Sequence, residues 1–118
     1  MASNNLAWIY ASRTQNLAEA LTLALSAQEA APNSASVLDT VGFVYYQRGE
    51  YAKAEPILKR AAELGARIAP VHHHLGMTYY QLGKKEDAIV SLRRSLQLDE
   101  KSTDAVEARR VLRELGAS

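Results

Sequence analysis

Three consecutive histidines, His72, His73 and His74, are the side chains in this 118-residue sequence best suited to metal or proton chemistry. On a helix, consecutive residues project about 100° apart, so three in a row cannot converge on one ion. A chelating pair on one helix wants i and i+4 spacing, and no second histidine stands there. The three read first as surface or half-buried helical histidines, with His73 the one suited to tune partner binding through an imidazole whose reference pKa is ~6.5. Asp39 is expected beside it across adjacent helices, in a hydrogen-bonded pair that resembles the orienter and base of a triad. No nucleophile accompanies that pair. Cysteine is absent, as is a glycine-rich phosphate loop. Disulfides are therefore excluded, and neither catalysis, a metal nor a cofactor is expected.

Charge and hydropathy narrow the classes further. Fourteen Lys and Arg face thirteen Asp and Glu, which leaves no basic surplus for nucleic acid or anionic lipid. No apolar run approaches the ~20 residues of a membrane-inserted helix. The opening Met1-Ala2-Ser3-Asn4-Asn5 lacks the charged and apolar regions of a signal peptide and passes at once into helical pattern. It reads as a piece of a longer protein. An absence of cysteine suits the cytoplasm and the periplasm alike.

The elements that must position these side chains are announced by an internal repeat. Val41-Gly42-Phe43-Val44-Tyr45-Tyr46-Gln47-Arg48-Gly49 returns as Leu75-Gly76-Met77-Thr78-Tyr79-Tyr80-Gln81-Leu82-Gly83, 34 residues later. A fixed period of this length marks stacked units, none of which buries its apolar face alone. Apolar spacing and breakers predict helices over residues 4–13, 17–31, 35–48, 51–64, 70–82, 85–98 and 103–115. Ser34 and Ser102 are candidate N-caps. Gly49, Gly65 and Gly83 are candidate stops, Pro70 suits a first helical position, and Pro56 reads as a tolerated bend on the outer layer. No stretch reads as a strand.

Within each unit a small residue is followed by tyrosine three later, glycine four after that, alanine five further on and a large apolar residue four beyond. This resembles the tetratricopeptide repeat and, in the wording from Asp39 to Tyr46, repeats of long bacterial members. The second unit meets the pattern with Leu38, Val41, Gly42, Tyr45, Gly49, Tyr51, Ala54, Leu58 and Ala61. The third meets it with Leu75, Gly76, Tyr79, Gly83, Ala88 and Leu92. The first is weaker: Ala20, Ala24, Ala27 and Pro32 fit, but Trp8 and Ala11 replace the small residue and the tyrosine. One period after Gly76 stands Arg110, so the last helix is read as a cap. The resemblance implies an all-α, right-handed α-solenoid in one domain, with hairpins over about 1–34, 35–68 and 69–102 and a capping helix over 103–116.

The resemblance also implies that the first helix of each pair lines a concave groove holding a peptide or helix of another protein. Periodicity leaves a second stripe on that helix, carried across by 34 residues as three rungs. The first rung is Asn5, Asp39 and His73. The second is Ile9, Phe43 and Met77. The third is Ser12, Tyr46 and Tyr80, flanked by Arg13, Gln47 and Gln81. An apolar line edged with phenols and amides suits a segment bearing regularly spaced apolar anchors. Some members grip a chaperone's carboxylate tail with Lys, Asn and Arg. The matching places here hold Asn5, Ile9, Thr40, Pro70 and His74, without those cations. The rival expectation is structural: an open first repeat, with Trp8 and the alanine-rich helix after it, pairing with a second copy as a homodimer.

Overall fold

In the computed structural model, residues 16–117 are described, and their regular structure is six α-helices with no strand. They are α1 (Leu17–Ala30), α2 (Ala35–Gln47), α3 (Tyr51–Leu64), α4 (Ala69–Gln81), α5 (Lys85–Leu98) and α6 (Thr103–Glu114). Each lies within a residue or two of its predicted span. The helix expected over residues 4–13, with Asn5 and Ile9, lies outside the described residues.

Local chemistry accounts for the boundaries. The Ser34 hydroxyl accepts from the Val37 amide at 3.3 Å, and Ser102 from Ala105 at 3.2 Å, each satisfying an amide the helix leaves unpaired. Gly49 and Gly83 adopt φ of 78° and 75°, which glycine tolerates without steric cost. The amides of Gly49 and Glu50 then reach back to the Tyr46 and Tyr45 carbonyls, and Gly83 and Lys84 repeat this onto Tyr80 and Tyr79. Both helices thus end in the same glycine-centred motif. Pro70 stands second in α4, one place later than predicted, still among the amides that lack an intrahelical acceptor. Pro56 lies on the exposed side of α3, which continues through it.

Two close approaches build the stack. A Cβ on Gly42 would stand 2.4 Å from Leu58 Cγ, and one on Gly76 would stand 2.8 Å from Leu92 Cγ. The missing side chains let α2 seat on α3 and α4 on α5. Leu58 and Leu92 are fully buried there, each favourable by about 1.5–3 kcal/mol relative to exposure. Ala20 and Ala24 of α1 meet Val41 and Val44 of α2 in a further cluster. α3 packs on α4, and α2 also touches α4. α6 packs on α5 and α4, burying Ala105, Ala108, Val111 and Leu112.

Candidate functional site

The inner helices α2 and α4 stand side by side, with α6 against the far side of α4. Between them opens a pocket of about 250 Å³ lined by Phe43, Tyr46, Gln47, His73, His74 and Met77. Asp104 and Glu107 of α6 close its wall. Five of the predicted groove residues therefore meet at one place. A larger cleft of about 330 Å³ lies between α5 and α6, lined by Arg93, Arg109 and Arg113 over Leu96 and Leu112. Two of its guanidinium groups are engaged by main-chain carbonyls, Arg93 by Ala117 and Arg109 by Glu100. We place the candidate site in the first pocket, where titratable and aromatic groups converge.

The expected partnership of Asp39 and His73 is corrected. Asp39 Oδ1 lies 2.8 Å from Nδ1 of His74, with both side chains largely buried. The reason is geometric: residues one period apart occupy equivalent positions and face the same way. Asp39 looks from α2 toward α4, so His73 must look from α4 toward α6. The residue of α4 that faces back is one step on, at His74. Burial disfavours the charged form of His74, but the Asp39 carboxylate outweighs it and raises the imidazole's pKa. Phe43 packs on the same imidazole, with ring centroids 4.6 Å apart.

His73 is buried against α6. Its Nε2 lies 2.9 Å from Glu107 Oε1, and its Nδ1 lies 3.7 Å from Asp104 Oδ1. The Asp104 contact is too long for a hydrogen bond, and the Glu107 contact, though close, lacks the alignment of one. Burial lowers the His73 pKa, with the two carboxylates opposing. His72 points elsewhere, its Nε2 meeting the Ala66 carbonyl at 2.8 Å.

The second rung divides. Phe43 is half-buried, whereas Met77 is 4% exposed and packs with Leu92, Ala108, Val111 and Leu112. Met77 thus forms the pocket's floor. On the third rung, Tyr46 is half-buried, stacked on Phe43 at 6.4 Å and edge-on to Tyr51 at 5.3 Å. Burial pushes its phenol pKa up, and the Gln81 amide works against that shift. Tyr80 donates its hydroxyl to Glu114 Oε2, tying α4 to the end of α6. Gln47 is half-exposed and Gln81 exposed.

The sequence reading missed Asp104, Glu107 and Glu114. Two of them carry a signal: Glu107 stands 34 residues after His73, and Glu114 stands 34 after Tyr80. Val111 likewise follows Met77 by 34 and packs against it. The rung register continues onto α6 even though Arg110 breaks the small-residue pattern.

Comparison with known proteins agrees with this architecture. Residues 33–101 match the sequence model of the tetratricopeptide repeat family, and the chain belongs to that family. Its members are generally interaction modules and not enzymes. A TPR repeat-containing protein of Pseudomonas aeruginosa is 36% identical over 63 residues, which make up 53% of this chain and 11% of that protein. The matched segment thus spans about a tenth of the length of this bacterial relative. Among solved structures, the first TPR domain of human RPAP3 superposes with a TM-score of 0.83 at 19% identity, covering 98% of this chain and 90% of that one. The first TPR of Spaghetti (RPAP3), bound to the HSP90 peptide SRMEEVD, gives 0.84 at 20% identity, covering 99% and 92%. These likenesses are of fold.

Proposed function

We propose that the concave face of α2, α4 and α6 binds a helix or extended segment of a partner protein through apolar anchors. The observation that carries this reading is the pocket of about 250 Å³ among the inner helices, with the Phe43 and Tyr46 rings at its edge. Aromatic rings at a concave site offer large contact area with little rotamer entropy to lose. Phe43, Tyr46, Gln47, Tyr80 and Gln81 make the contacts, while Asp39, His73 and Met77 hold the floor. By the 34-residue sequence register alone, Asn5 and Ile9 are assigned to the first two rungs, in repeats of about 1–34, 35–68 and 69–102. The floor is fixed by packing before the partner arrives, so binding orders little of the receptor.

The partner is not an acidic carboxylate tail. Asp104 and Glu107 face the pocket and would repel one. At the places where a cation clamp would stand, Thr40 is bonded to the Ser36 carbonyl and His74 to Asp39. The test is selection of peptides from a displayed library, followed by titration by fluorescence anisotropy with SRMEEVD as the acidic comparator. Selected peptides should carry spaced apolar residues, bind well above the comparator, and lose binding in Tyr46→Ala. Peptides whose binding ignores Tyr46→Ala would remove the groove assignment. Concentration-dependent dimerisation in light scattering, blocked by no selected peptide, would favour self-association instead.

A further inference from the structure

We propose that His73, His74 and Asp104 form a site for one divalent transition metal of the zinc class, joining α4 to α6. One ligand atom from each of the three lies within 4.8 Å of the others. A tetrahedral site with zinc–nitrogen bonds near 2.05 Å has an edge of roughly 3.3 Å. Small side-chain rotations therefore bring the three into one coordination sphere.

A second observation points to a ligand. Both ring nitrogens of His73 are buried without a hydrogen bond, in a side chain only 5% exposed. Buried polar atoms are almost always partnered, so such a ring marks a place where something else satisfies it. A metal bond to one nitrogen does so. Glu107 Oε1, 2.9 Å from His73 Nε2, stands ready as a fourth ligand or as the acceptor that orients the ring. Asp39 holds His74 in the corresponding way, through Nδ1 at 2.8 Å. Carboxylates in that relation fix the tautomer of a ligand imidazole and raise its basicity. Two imidazoles with carboxylate oxygen suit zinc and its neighbours, where calcium and magnesium take oxygen alone. The adjoining pocket supplies the entry path.

The geometric objection to three consecutive histidines holds for His72, which is turned to the Ala66 carbonyl. It does not reach the pair, because the His73 and His74 rings both border the pocket with centroids 5.7 Å apart, close enough for one nitrogen of each to reach a common ion.

Untagged, EDTA-treated protein would be titrated with Zn²⁺ by calorimetry, and with Co²⁺ by visible absorption. One ion per chain is expected, with a Kd below about 10 µM and a rise in Tm on adding zinc. Asp104→Asn and His73→Asn should each weaken binding by about 10-fold or more, while His72→Asn leaves it unchanged. Asp104 is partly exposed, so its variant keeps the fold and the test stands even if His73→Asn unfolds. Absence of saturable binding up to about 100 µM zinc would overturn the site. So would binding that Asp104→Asn leaves intact, or that His72→Asn abolishes.

Discussion

Phe43 and Met77 occupy equivalent positions in two hairpins of nearly the same design, yet one is half-buried and the other 4% exposed. The hairpins share the glycine–leucine crossing and the glycine-centred helix end, with φ near 75–78° in both. They differ in their neighbours. Met77 is covered by Val111 and Leu112 of α6, in a cluster that Phe43 does not join. The repeat signature builds the hairpin, and the following helix determines how much of the inner face stays open.

The largest effects should come from what the hairpins share. Gly42→Leu and Gly76→Leu are each expected to abolish cooperative melting followed by circular dichroism. Alanine refines the comparison. At Gly42 the crowding atoms belong to the Leu58 side chain, whereas at Gly76 they include the Leu92 backbone nitrogen at 3.2 Å. Both alanine variants should lose about 1–3 kcal/mol in urea unfolding, Gly76→Ala the more, because a backbone atom cannot rotate away. Equal losses would mean the two crossings are interchangeable.

Asp39→Ala breaks the link between the hairpins and leaves His74 buried without its carboxylate. A loss of about 3–5 kcal/mol is expected for removing one member of such a pair, measured in EDTA. A loss below ~1 kcal/mol would place the pair with exposed ones. Next comes the contrast on the second rung. Met77→Ala should cost about 2–5 kcal/mol as a core truncation, and Phe43→Ala roughly half as much, since part of its ring remains in water. If Phe43→Ala proves the costlier, the cover supplied by α6 does not govern the difference.

The smallest effect concerns Tyr80 and Glu114. The Tyr80 hydroxyl holds the Glu114 carboxyl below its usual pKa. Its contribution is therefore complete above the ordinary carboxylate pKa and is lost as pH falls through the depressed value. Tyr80→Phe should slightly reduce Tm at neutral pH and flatten its decline between about pH 5 and pH 3. An unchanged acid limb would mean the contact contributes nothing in solution.

Most of the helical layout was legible because its signals are local. Ser34 and Ser102 cap the amides that follow them, and glycines 49 and 83 stop helices through their own backbone freedom. Candidate pocket residues were legible in part. Phe43, Tyr46, Gln47, His73 and Met77 do meet in one pocket, but Asp104 and Glu107 went unread because Arg110 breaks the repeat pattern between its rungs.

The 34-residue period by itself determined that the chain is a stack of helical hairpins, and which residues share a rung. That follows because equivalent sequences build equivalent units, and a glycine opposite a leucine brings two helices together wherever it recurs. Tertiary structure alone decided who pairs with whom across the rungs. Equivalent positions face the same way, so Asp39 meets His74 and His73 meets α6. Burial at Phe43 and Met77 likewise depends on the next helix in space, which no local pattern encodes.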